Sequence, residues 1–326
     1  MKHYPMKLRP VPKEIIWGGQ RLKDLYGVDA PFDRIAEAWE LTVRSDGMSV
    51  IDSGELRGMT LREYLESNPA AAGSACSGGD FPLLIKFIDA HYDLSVQVHP
   101  DDTYARRNEG EAGKTEMWYV IDAAPDAALI YGFADGVTHE EFRRCCNGGN
   151  LTPLLNRVSI RRGEVYFIPS GQIHAICRGA LIAEIQQNSN ITYRLYDYNR
   201  TQPDGSKRRL HIDKALDVTK FYTSGEIETL QFDGRTGRRR APQNTEVLCN
   251  CSYFRVSLLK TSAESTVVFD TDRSSFNSLL FTAAERTTVS CGGCSAEVSP
   301  GDSFFIPAGA GKTVIEGKAE VLISEI

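Results

Sequence analysis

Short apolar runs dominate the chain. They fall at 83–88, 94–99, 117–121, 128–131 and 165–168, and again at 256–259, 266–269, 278–282, 303–306 and 319–323. Each is rich in β-branched or aromatic residues and is bounded by Gly, Pro, Asp or Asn, the pattern of a strand closed by turns. Helix signals are few and local. Thr60 precedes LREYLE, Thr138 and Glu141 form a capping box ahead of EFRRCC, and 211–220 carries a third helical pattern. Many short strands at close spacing predict a mainly β protein, a sandwich or barrel with a few short helical insertions.

An internal repeat sharpens this. Residues 163–174 read GEVYFIPSGQIH and residues 301–312 read GDSFFIPAGAGK, both fitting Gly, five residues, Pro, one residue, Gly. Each unit is a turn glycine, a strand whose side chains alternate faces, and a Pro-x-Gly bend. Two such units predict two similar β-barrels. The first places His174 where the second places Lys312, so only one offers a metal-ligand type there. The polar, basic stretch GRTGRRRAPQ at 234–243 reads as a solvated linker rather than an anion-binding patch. The expected division is 1–235, a unit with the chemistry and the helical insertions, and 236–326, a second barrel without the ligands.

Composition excludes several function classes. The 326 residues carry a formal net charge of -6, which argues against a nucleic-acid or anionic-membrane surface while allowing a local basic pocket. The cationic start MKHYPMKLRPVPKEIIWGG has no apolar h-region, and no run approaches the ~18 apolar residues of a spanning helix. Eight cysteines without an export signal fit free thiols in a reducing, cytoplasmic setting. Cys249, Cys251, Cys291 and Cys294 have the wrong spacing for a ribbon-type zinc site, and Gly292-Gly293 reads as a hairpin turn.

The chemistry concentrates in the first unit. In LSVQVHPDD, Gln97 and His99 are two apart on a strand and share a face, and Pro100 ends that strand at its rim. Glu116 opens the strand MWYVI with Lys114 on its own side. With His174, the inventory is two imidazoles, a carboxylate and an amide oxygen, which suits a borderline divalent ion with positions left for water or substrate.

These residues also carry a resemblance. The repeat is similar to the second motif of the cupin superfamily, which implies jelly-roll barrels. FPLLIKFIDA (81–90), LSVQVHPDD (94–102), GKTEMWYVI (113–121), GEVYFIPSGQIHAI (163–176) and EIQQNSNITYRLYDYNR (184–200) resemble type I phosphomannose isomerases in their short bacterial form, as do IIWGG (15–19) and AEAWEL (36–41). The resemblance implies one zinc ion held by Gln97, His99, Glu116 and His174, and interconversion of mannose 6-phosphate and fructose 6-phosphate through an enediol. Two positions depart from the family. Gly113 stands where longer members have His, and Asn190 where an Asp is common.

The implied catalytic arginine is Arg194, a permanent cation suited to stabilising enediolate charge or orienting substrate. On a strand it would share a face with Tyr196 and Tyr198. Lys86, the one charge within LLIKFI, together with Lys114, Arg200 and Glu184, is expected to contact phosphate or hydroxyl groups or to serve the reaction. A metal-bound water, Lys114 and Glu184 are the candidate proton carriers. Two rivals stand beside the isomerase: a non-haem Fe(II) oxygenase, which His99, Glu116 and His174 alone would suit, and a non-catalytic phosphosugar-sensing cupin. The expected partner is a small sugar phosphate, with no nucleic acid or membrane, bound by a monomer or homodimer.

Overall fold

The computed structural model describes residues 4–76, 80–146, 150–202, 204–233 and 245–326. The stretch read as a basic linker at 234–243 lies outside the described residues. The chain is mainly β, all its ladders between named strands are antiparallel, and its helices are short. Among the described residues, no helix is long and apolar enough to cross a membrane.

Two sheets carry most of the strands between residues 11 and 196. A six-stranded sheet runs in the order Val165–Ile168, Glu116–Ala123, Ala180–Gln187, Leu83–Asp89, Glu37–Leu41, Val11–Lys13. A five-stranded sheet runs Leu155–Ser159, Ala128–Phe133, His174–Ile176, Val96–Val98, Tyr193–Tyr196. They face each other over one core in which Trp118, Ile168 and Ile182 of the first meet Leu129 and Ile176 of the second. No ladder joins the two sheets into a closed barrel among the described residues. The outer face of the five-stranded sheet is covered by Phe142 of the helix His139–Cys146 and Ala215 and Val218 of Ile212–Val218. The outer face of the six-stranded sheet packs Phe87, Met117 and Ile185 against Phe254, Leu280 and Leu322 of a third, nine-stranded sheet.

That burial on both faces explains what the pattern hides. Every residue of Ala180–Gln187 is buried, so this strand shows no polar-apolar alternation and lacks the signal that marks a half-exposed strand. The strand expected at 94–99 is shorter, Val96–Val98, with Ser95 and His99 just outside its ends. The two helices expected from their caps form at Leu61–Ser67 and His139–Cys146, and the third, expected from its pattern, forms at Ile212–Val218.

The repeat is structural. All four of its glycines take positive φ: 88° at Gly163, 93° at Gly171, 89° at Gly301 and 78° at Gly309, a region that glycine enters without steric cost. Its strands are Val165–Ile168 and Ser303–Ile306. Ile168 pairs with Glu116 in the first copy and Ile306 with Asn277 in the second, so an amide holds the place of the carboxylate. His174 is fully buried, whereas Lys312 is exposed. The Cys291–Cys294 hairpin turns through Gly292 and Gly293, with φ of 58° and 79°, and all eight cysteines are free thiols.

The nine-stranded sheet also takes in Met6–Arg9, which pairs with Ser303–Ile306, and Val50–Ile51 beside it. Where this sheet meets Glu37–Leu41, Glu40 is completely buried and neither of its carboxylate oxygens has a hydrogen bond. Burial, and then Asp302, hold its carboxyl well above the usual carboxylate range. Tyr26 also faces it, and Lys7 pairs with Asp302 at 2.8 Å. A folded-state value above the unfolded one means stability that is full below the unfolded value of 4.5 and is lost as pH rises from there. Glu40→Gln removes that loss. Thermal melts should show the variant unchanged near pH 4 and raised by roughly 2–4 °C near pH 8; an equal shift at both pH values contradicts the assignment.

Candidate metal centre

Three strands of two facing sheets deliver the ligand-type residues. Glu116 begins Glu116–Ala123, between Ile168 on one side and Gln186 on the other. His174 begins His174–Ile176 and pairs with Gln97 of Val96–Val98. His99 follows directly, where Pro100 stops the strand. The result is a buried trio, His99, Glu116 and His174, whose ligand atoms all lie within 4.8 Å of one another. It is the single such cluster of His, Cys, Asp or Glu among the described residues, so the four-thiolate alternative is not formed.

The hydrogen bonds around the trio explain its chemistry. His99 Nδ1 lies 2.7 Å from the Ile191 carbonyl and His174 Nδ1 2.8 Å from the Gln172 carbonyl. A carbonyl can only accept, so each Nδ1 carries the proton and each Nε2 a lone pair. Those two Nε2 atoms face each other at 3.1 Å, and His99 Nε2 is 3.2 Å from a Glu116 oxygen. Both Glu116 oxygens are buried without a hydrogen bond. Lone pairs and a carboxylate aimed at one point repel one another unless a cation completes the set, and both imidazoles are already oriented as metal ligands require.

Charge states agree. Burial, then the Lys114 ammonium, push His99 down to about 3, and burial lowers His174 too, leaving both imidazoles neutral. Burial alone would raise Glu116, but the Lys114 ammonium holds it well below the usual carboxylate range. Lys114 is itself buried, pairing with Glu116 and reaching to 3.3 Å from His99 Nε2. Gln97 Nε2 stands 3.4 Å from His174 Nε2, while its Oε1 accepts from Ser95 Oγ at 3.3 Å. A half-turn of this amide would present its oxygen to the centre.

Glu184 and Lys86 form the wall beside the trio. Glu184 accepts from Trp118 Nε1 at 3.0 Å and pairs with Lys86 at 3.2 Å, and Lys86 reaches Glu37 at 3.4 Å. Burial and the neighbouring Glu116 raise Glu184 to about 7. Lys86 is thus an inward lysine held between carboxylates. Arg194 pairs with Gln97 across the ladder, and its Nε donates to Ser95 Oγ at 3.1 Å. The expected wall of Arg194, Tyr196 and Tyr198 does not form as a strand face. The ladder slips between Arg194 and Tyr196, the strand ends there, and Tyr198 and Asn199 take positive φ. Arg200 turns onto Asp197 and the Asp93 carbonyl. Sequence reasoning passed over Ser95, two residues before Gln97, and missed Asp197 and Arg208, which have no spacing signal because a non-local loop brings them together.

Both departures have local reasons. A Cβ on Gly113 would lie 2.5 Å from Asp102 N and 2.6 Å from the Asp101 carbonyl carbon, so no histidine fits there with the following helix, Asp102–Asn108, in place. Asn190 turns outward, donating to Asp46 at 3.2 Å.

The family model described as phosphomannose isomerase type I, catalytic domain, matches residues 6–123. The mannose-6-phosphate isomerase ManA of Bacillus subtilis is 37% identical over 323 residues, 99% of each chain. The probable mannose-6-phosphate isomerase GmuF of the same organism is 37% identical over 322 residues, 98% of this chain and 99% of its own. The crystal structure of a mannose 6-phosphate isomerase from Bacillus subtilis superposes with a TM-score of 0.87 at 34% identity, covering 99% of both chains. By full-length similarity in sequence and in fold, this chain belongs to the type I phosphomannose isomerase family.

Proposed function

We propose that the chain interconverts mannose 6-phosphate and fructose 6-phosphate through an enediol, with one zinc ion held by His99, Glu116, His174 and a turned Gln97. The observation that carries this reading is the pair of buried imidazoles, each fixed by its Nδ1 bond with Nε2 facing inward, beside a buried carboxylate whose ion pair is with Lys114. When bound, zinc supplies a Lewis acid that stabilises negative charge developing on substrate oxygen.

The chain's own groups supply the rest. Lys114 and Glu184 are the proton carriers we assign. Lys114 lies at the ligand atoms, and Glu184, raised toward neutrality, can hold or release a proton at physiological pH. Lys86 keeps Glu184 in place and is assigned to hydroxyl recognition, while Arg200, itself held by Asp197 and the Asp93 carbonyl, belongs to the cation cluster that we assign to phosphate recognition. Arg194 adds a fixed positive charge beside Ser95 for the developing enediolate. We also propose the division into a catalytic unit, 1–235, and a second unit, 236–326, with Met6–Arg9 and Val50–Ile51 crossing into the second sheet. Eight free thiols fit a reducing cytoplasm.

The test is a coupled assay for fructose 6-phosphate formed from mannose 6-phosphate. Activity should vanish after chelation and return with zinc. A metal-replete chain without turnover defeats the reading, as does iron as the bound metal with oxygen consumed.

A further inference from the structure

Beyond the metal centre, the five-stranded sheet ends in a cluster of cations that the fold takes trouble to assemble. After Tyr193–Tyr196 the chain loops away and returns, and His211 N donates to the Arg194 carbonyl at 2.8 Å while Arg194 N reaches His211 Nδ1 at 3.2 Å. This two-way tie brings residues 208–211 alongside Arg194, whose Nη1 donates to the Arg209 carbonyl at 3.0 Å. Asp197 lies at the centre with its side chain 6% exposed. It accepts from Arg208 Nε at 2.8 Å and from Arg208 Nη2, and it also pairs with Arg200.

Arg200 and Arg208 therefore pair with one carboxylate while Arg194 stands within electrostatic reach of it, so that three cations face one anion and two positive charges are left over. All three are partly shielded from solvent, with Arg208 at 15% side-chain exposure. Like charges held together at a half-buried site repel and lose hydration, so the arrangement is favourable only when an anion completes it. The remaining donors indicate which cation meets that anion. Arg200 spends Nε and both terminal nitrogens on Asp197 and the Asp93 carbonyl. Arg208 keeps Nη1, and Arg194 keeps Nη2, without a hydrogen bond among the described residues. The cluster connects to the metal centre by a short relay: Arg194 Nε to Ser95 Oγ at 3.1 Å, Ser95 to Gln97 at 3.3 Å, Gln97 to His174 at 3.4 Å.

We infer that Arg208, clamped by the Asp197 carboxylate, is a specificity-determining contact for the phosphate of the substrate, with Asp197 as the positioning residue that aims it. The inference rests on the proposed isomerase reading for the identity of the sugar, but the anion site itself does not. A dianionic phosphate matches the two uncompensated charges and accepts the planar guanidinium donors in pairs. A chain that bound a neutral sugar would have no use for the excess.

Arg208→Ala should raise KM for mannose 6-phosphate about tenfold or more, keep kcat within about threefold and leave zinc content unchanged. Arg208→Lys should recover part of that loss, and Asp197→Asn should shift KM in the same direction. Inorganic phosphate, titrated calorimetrically, should bind the wild-type chain and bind Arg208→Ala correspondingly more weakly. This last measurement needs no turnover, so it holds or fails whether or not the chain isomerises the sugar. Unchanged KM and unchanged phosphate binding in Arg208→Ala overturn the inference, and an accompanying drop in melting temperature would mark the network as a loop tie. So would absence of phosphate binding to the wild type, or a fall in kcat alone.

Discussion

His99→Ala is expected to give a folded chain that retains no zinc and whose kcat is down by at least about a thousandfold. His99 caps the short strand Val96–Val98, whose valines stay packed in their own core, so the fold does not depend on the imidazole. The metal does. Without His99 Nε2 the remaining set is one imidazole, one carboxylate and an amide, and the Lys114 ammonium then has Glu116 to itself. The thermal signature separates this outcome from misfolding. Zinc at about a hundred times its dissociation constant should stabilise the wild type by about 2.7 kcal/mol, because it binds only the folded state. The melting temperature of His99→Ala should not respond to zinc and should not fall on chelation. A variant with wild-type zinc content and turnover would show that the trio is not the metal site.

Lys114→Met should reduce kcat by about a hundredfold or more and, unlike the histidine variant, bind zinc at least as tightly as the wild type. The ammonium and a divalent ion compete for the same Glu116 oxygen and the same His99 Nε2, and two cations in one low-dielectric pocket repel. Methionine keeps the length of the side chain and removes the charge, so the ion gains what the proton chemistry loses. The opposite signs make the test sharp: lower activity with lower metal content would reassign Lys114 to holding the ligands, and full activity would remove it from the reaction.

Much of this centre can be read from local pattern. Gln97, His99 and Glu116 stand beside strand boundaries, one of which Pro100 announces, and His174 follows a Pro-x-Gly bend whose glycine needs positive φ. These signals are short-range, so one sequence is enough to see them. The inward turn of Lys86 is different, since its strand is buried on both faces and alternation has nothing to report. The stop at Tyr196 escapes for a related reason, because positive φ at Tyr198 and Asn199 is unusual for such side chains. Asp197 and Arg208 are the hardest, being joined by a loop whose closure depends on His211 finding Arg194. The orphaned carboxyl of Glu40 has no sequence signature either, since it arises where two sheets back onto each other.

The strand Met6–Arg9 carries a consequence for how the molecule is made. Its partner is Ser303–Ile306, and Lys7 meets Asp302 across 295 positions of sequence. During synthesis Met6 and Leu8, both buried in the finished protein, can pair early only with Val50–Ile51, and the other edge of their strand stays open until nearly the whole chain exists. Such remote pairings are slow to form and leave apolar edges open to wrong partners in the meantime. That edge cannot therefore be closed by the chain's first two hundred residues alone. The chain's first strand belongs to a sheet that is built last, which makes the C-terminal strands the clasp that closes the molecule.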